Sequence, residues 1–81
     1  MNVSIDDIIS IVSLQLGAKK VSEEQRLVED LGAESADIAN IIAALEERYN
    51  IFINEEAIAK IRTVKDLYLA IAKLLGDQEE I

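Results

Sequence analysis

At 81 residues the sequence is one small domain, and 51% hydrophobic residues with no proline and three glycines favour a helical bundle over a sheet. The absence of cysteine and histidine excludes disulfides, thiolate nucleophiles, zinc–thiolate sites and the usual general base, and only Tyr49, Phe52 and Tyr68 are aromatic, too few for a base-stacking surface. The formal charge of −8 argues against nucleic acid and anionic membranes as partners.

Ser4 followed by Asp7 is a capping-box-like helix start, and Asp6 and Asp7 suit the positive end of the helix dipole. Ile5, Ile8, Ile9, Val12 and Leu16 then follow helical spacing up to Gly17, a natural stop. This first helix reads as scaffold. Ile11 and Leu14 fall off its main stripe, so more than one of its faces is expected to be buried. With no basic leader, no apolar signal region and no apolar run of membrane-spanning length, the expected location is the cytoplasm.

The stretch from Gly17 to Ser35 is long for a connection in a compact domain and marks either function or a hidden short element. Val21-Ser22-Glu23-Glu24-Gln25 has a capping-box pattern able to start a helical turn. Leu27, Val28 and Leu31 are expected to pin the segment to the core, so that Ser35 is presented in a fixed orientation.

Asp30-Leu31-Gly32-Ala33-Glu34-Ser35-Ala36-Asp37 leads into an apolar-periodic run from Ile38 to Phe52, with Ser35 at or beside the N-cap. At about 100° per residue, Ile38, Ile41, Ile42, Leu45, Tyr49 and Phe52 share one side as the core stripe. Ala36, Asn40, Ala43 and Glu47 lie opposite, on the face that starts beside Ser35. Asn54 before Glu55 and Glu56 caps a short third helix through Ile61. Thr63 with Asp66 caps a fourth, whose stripe is Val64, Leu67, Tyr68, Ile71, Leu74 and Leu75 and which Gly76 is expected to end. The ordered core is expected over about residues 4–76 of a single 1–81 domain, with Asp77 to Ile81 frayed.

From Glu23 to Glu56 there are ten acids against two bases, so the whole excess of negative charge surrounds Ser35. That distribution suits partners with basic docking surfaces. A serine hydroxyl needs a base to become a nucleophile, and the exposed carboxylates Glu34 and Asp37 are poor bases for an alcohol. No catalytic site is therefore expected. A helix N-terminus does stabilise a phosphate, which makes Ser35 a sensible phosphodiester attachment point.

Asp30-Leu31-Gly32-Ala33-Glu34-Ser35 ahead of an amphipathic helix resembles the acyl carrier proteins. The resemblance extends through Ala44-Leu45-Glu46-Glu47, Glu55-Glu56-Ala57 and Lys60-Ile61-Arg62-Thr63-Val64, nearly the whole chain. It implies an all-α four-helix bundle with one short helix and a long loop after helix one. It also implies that Ser35 bears a covalent phosphopantetheine, moved there from coenzyme A by a phosphopantetheinyl transferase, whose thiol holds acyl groups as thioesters. The chain would then be a non-catalytic monomeric carrier for fatty-acid or related lipid or polyketide biosynthesis, visited by acyl-transferring and condensing enzymes, with no metal and no membrane insertion. Glu34, Ala36, Asn40, Ala43, Glu46 and Glu47 are the partner-facing candidates. Ile38, Ile42, Leu45, Ile58, Ile61, Leu67 and Ile71 are candidates to shelter an acyl chain, a role compatible with being core.

Departures from the family pattern bear on partner choice. Glu34-Ser35-Ala36 stands where Asp-Ser-Leu is common, Asn40 and Ala43 replace an acid and a larger apolar residue, and Arg48 adds a positive charge. Alanine at 36 removes about 1.5–3 kcal/mol of side-chain burial available at a docking surface. A specialised carrier for a dedicated pathway is expected. The competing reading is an unmodified carrier-like interaction module in which Ser35 is only a helix cap. A calcium-binding regulator ranks below both, because no ligand series of the required spacing is present.

Overall fold

The computed structural model describes residues 2–79. Four helices follow in order: α1 (Ile5–Leu16), α2 (Ser35–Tyr49), α3 (Glu55–Ala59) and α4 (Val64–Glu79). The described residues contain no β-strand, only an isolated antiparallel bridge between Arg26 and Thr63. The all-α bundle with one short helix and a long first loop is thus the architecture seen.

α1 packs against both α2 and α4. The hydrophobic stripes of these three helices meet in a core that includes Ile8 and Val12 from α1, Ile41 and Leu45 from α2, and Val64, Leu67 and Ile71 from α4, all essentially inaccessible. Local chemistry sets the helix ends. Ser4 Oγ accepts from the Asp7 N–H at 3.1 Å at the start of α1, and Gly17, at φ 67°, closes it in a left-handed conformation that a side chain would disfavour. Ile11 is half-buried and packs on the core but Leu14 is 79% exposed, so only one of the two off-stripe residues turns inward.

α2 stops earlier than its apolar run. Asn50 adopts φ 54° and donates its N–H to the Glu46 carbonyl, ending the helix at Tyr49. Phe52 therefore leaves the stripe and stands 75% exposed, a correction that follows from the lost helical register. Tyr49 keeps its place in the core at 4% exposure, although its hydroxyl has no hydrogen-bond partner among the described residues.

α3 is capped as expected, with Asn54 Oδ1 accepting from the Ala57 N–H at 2.8 Å, but it ends at Ala59 rather than Ile61. At α4, Thr63 Oγ1 accepts from the Asp66 N–H, and Asp66 in return accepts from the N–H groups of Arg62 and Thr63. Gly76 does not end α4, which runs on to Glu79. A glycine costs only about 1 kcal/mol in a helix relative to alanine, and with Leu75 buried just before it the helix continues. Glu80 and Ile81, at the end of the tail expected to fray, lie outside the described residues. No described helix is long and apolar enough to cross a membrane.

Candidate functional site

The segment between α1 and α2 is held by backbone bonds. The Val64 and Lys65 N–H groups at the start of α4 donate to the carbonyls of Gln25 and Glu23, at 3.1 and 2.8 Å. The Leu27 N–H donates to Arg62 O and the Ala33 N–H to Leu27 O, each at 2.8 Å. Val21 to Gln25 forms a turn and not a helix, with the Ser22 N–H donating to Gln25 Oε1 at 2.9 Å. Leu27 and Ala33 are buried and Leu31 half-buried, so they do pin the loop. Val28 does not, being 56% exposed, because the consecutive turns of residues 27–31 point it outward. Within these turns the Asp30 carboxylate accepts from the Arg26 backbone N–H at 2.8 Å. That bond, together with the Arg26 guanidinium, holds Asp30 below the usual carboxylate range and raises Arg26 in return. Gly32, at φ 73°, then turns the chain toward α2.

This brace ends at Glu34, which is the N-cap of α2. Asp37 completes a capping box, its carboxylate accepting from the Glu34 N–H at 2.9 Å. Ser35 is consequently the first helical residue, beside the cap and not the cap itself. It is exposed, and its hydroxyl makes no hydrogen bond among the described residues. The first-turn N–H groups of a helix lack intrahelical acceptors, so the hydroxyl stands where a phosphate ester would meet free donors and the positive end of the dipole. Exposure, an uncommitted oxygen and the helix end together fit a covalently bound phosphopantetheine.

Ser35 also lines a groove of about 410 Å³ between α2 and α3. Its walls are Ser35, Ile38, Ala39, Ile42, Ala43 and Glu46 from α2, and Glu55, Ile58 and Ala59 from α3. Of the residues read as sheltering an acyl chain, Ile38, Ile42 and Ile58 border this groove. Leu45, Leu67 and Ile71 lie deeper, in the closed core. Ile61 lines a separate groove of about 450 Å³ on the other flank of α3, with Phe52, Ile53, Lys60 and Leu74. Ala39 was not singled out by sequence, yet it sits one helical turn from Ser35. The series Ser35, Ala39, Ile42, Glu46 was available from periodicity, whereas Glu55 and Ala59 depend on how α3 docks.

Among the partner-facing candidates, Glu34, Ala36, Asn40, Ala43 and Glu47 are exposed. Glu46 is only partly so, because its carboxylate accepts from the Ile53 N–H at 2.9 Å. Arg48, which interrupts the acidic surface, reaches toward Asp7 of α1 at 4.0 Å and lies 5.6 Å from the centre of the Tyr49 ring.

Residues 6–71 match the family model for the phosphopantetheine attachment site. The chain is 47% identical over 64 residues to an acyl carrier protein of Wolinella succinogenes, covering 76% of this chain and 84% of the relative. It is 41% identical over 68 residues to one from Syntrophobacter fumaroxidans, covering 82% and 84%. A solved Mycobacterium tuberculosis structure described as an acyl carrier protein superposes with a TM-score of 0.81 at 28% identity, covering 86% of this chain and 96% of that one. The chain belongs to the acyl carrier protein family, whose members carry rather than catalyse, and its cofactor is a covalently attached phosphopantetheine.

Proposed function

We propose that this chain tethers acyl intermediates as thioesters through a phosphopantetheine on Ser35, and that it does so for a dedicated branch of fatty-acid or related lipid or polyketide biosynthesis. The observation that carries the reading is the division of labour at the start of α2. Glu34 and Asp37 do the capping, so the Ser35 hydroxyl is left exposed and uncommitted. A serine needed as the cap would be engaged with backbone N–H groups instead. The same observation favours an attachment role over the reading of Ser35 as only a cap.

The attached arm supplies the thiol that this cysteine-free chain lacks. The chain's own residues orient and shelter. The backbone ladder through Leu27 and Ala33 fixes where Ser35 stands, and Ile38, Ile42 and Ile58 offer apolar walls beside it. With no base near Ser35 other than the exposed Glu34 and the cap-bound Asp37, proton removal belongs to the transferase, and the chain itself is not an enzyme. Its biosynthetic partners meet the exposed face of Glu34, Ala36, Asn40, Ala43 and Glu47, as a monomer in the cytoplasm. Basic surfaces on those partners suit the excess acidity around Ser35.

Intact mass after incubation with coenzyme A, magnesium and a broad-specificity phosphopantetheinyl transferase tests the attachment. Wild type should gain the mass of one phosphopantetheine and Ser35→Ala none. An unmodified wild type beside a modified control carrier would return the weight to an interaction module. The dedicated-pathway reading predicts slower acyl transfer than a housekeeping carrier shows with the same fatty-acid synthase enzymes, since Ala36 and Ala43 offer little apolar surface. Equal rates would remove it.

A further inference from the structure

We propose that Glu46 is a positioning residue: its carboxylate latches the entry to α3 and thereby sets the width of the groove beside Ser35. The proposal rests on the reading of Ser35 as the attachment point.

Glu46 organises the whole connection out of α2. Its backbone carbonyl accepts from the N–H groups of Asn50 and Ile51, and its side-chain Oε2 accepts from the Ile53 N–H at 2.9 Å, seven residues on. The same side chain forms part of the wall of the Ser35 groove. A carboxylate facing a partner would be free, whereas this one is half-buried and committed to a backbone donor in its own chain. Because the acceptor is charged, the bond belongs to the stronger class of protein hydrogen bonds.

α3 needs such a latch. It has five residues, too few to be stable as a helix by itself, and none of them is fully buried. Grooves flank it on both sides, about 410 Å³ toward α2 and about 450 Å³ toward α4. With open space on either flank and only the half-buried Ala57 and Ile58 packing against the core, the pose of α3 leans on the tethers at its two ends. At the exit, Arg62 is held by Asp66 and by the Leu27 N–H. At the entry, Ile53 is held by burial and by Glu46. Releasing Glu46 frees the entry while the exit stays anchored. Ile58 and Ala59, the α3 wall of the groove, then move relative to Ser35.

Hydrogen exchange at the Ile53 amide, measured on the unmodified chain, tests the latch without any cofactor. Glu46→Ala should speed exchange at Ile53 about tenfold, spreading to the amides of α3, while Glu46→Gln, which keeps an acceptor oxygen, stays within about threefold of wild type. Glu46→Asp keeps the charge but is one methylene short, and it should resemble Glu46→Ala; it also serves if the alanine variant unfolds. On octanoyl-loaded protein, hydrolysis of the thioester, in which water adds to the acyl carbon and the thiol leaves with a proton, should be faster in Glu46→Ala and Glu46→Asp and restored in Glu46→Gln. Unchanged Ile53 exchange in both Glu46→Ala and Glu46→Asp would overturn the proposal. So would a Glu46→Gln variant as perturbed as Glu46→Ala in both measurements, since charge and not the hydrogen bond would then be responsible. Failure to load Ser35 leaves the exchange experiment intact, so the two failures are distinguishable.

Discussion

The side of the molecule built from α1 and α4 and the side built from the outer face of α2 and α3 are made differently. The first contributes Ile8, Val12, Val64, Leu67 and Ile71, all closed off from solvent. The second has an exposed serine, exposed alanines at positions 36, 39 and 43, and a short helix with no fully buried residue between two grooves. Packing is closed on the first side and open on the second, where the proposed acyl chain would lie. The two sides are joined by backbone bonds at the presenting loop, so the more open side still inherits a fixed position for Ser35.

The contrast is sharpest in a pair of truncations. Ile71→Ala should cost about 2–5 kcal/mol, as deletion from a closed core does. Ile58→Ala on α3 should cost about 1 kcal/mol, because that side chain is only half-buried and borders the groove, and it should widen the groove. Denaturant melts of the two variants, followed by circular dichroism, measure the difference; equal losses would erase the distinction between the two sides.

Next in size is Asp66, which ties the α3 exit to α4. Asp66→Ala should cost about 1 kcal/mol near neutral pH, through lost hydrogen bonds to the Arg62 and Thr63 N–H groups. The Arg62 N–H leads the interactions that hold the Asp66 carboxyl below its ordinary value, opposed in part by desolvation and aided by Thr63. A carboxyl depressed in the folded state binds fewer protons there than in the unfolded chain. Its contribution is complete above its ordinary pKa, about 3.9, and is lost as pH falls through the lower folded value. Stability measured from pH 5 downward should therefore fall less steeply in Asp66→Ala than in wild type.

Smallest is a gain. Tyr49→Phe should leave the protein as stable as wild type or up to about 1 kcal/mol more so, because the lost hydroxyl is buried without a partner. A clear loss of melting temperature would mean that the hydroxyl does have a partner in solution, and that the end of α2 is held more tightly than its core packing alone provides.

Much of this was legible in the residues themselves, where local chemistry decides. Ser4, Asn54 and Thr63 cap the helices they precede, Gly17 ends α1, and the Ser35 motif with its charge distribution pointed to a carrier. Capping and periodicity involve partners within about four positions in the chain, so their signals survive without knowledge of the fold. Gly76 shows where local signals run out: a residue that permits a stop does not impose one when the helix continues.

The sequence alone determined where the helices start and which family the chain belongs to, and it singled out Ser35 as the proposed attachment point. Only the tertiary structure decided that Phe52 faces out, that Ile61 belongs to a different groove from Ile58, and that Glu46 is bound to Ile53 rather than free at the surface. These outcomes depend on where one element docks against another. Docking is settled by contacts between residues that no short-range pattern relates, such as Leu27 with Arg62 and Gln25 with Val64.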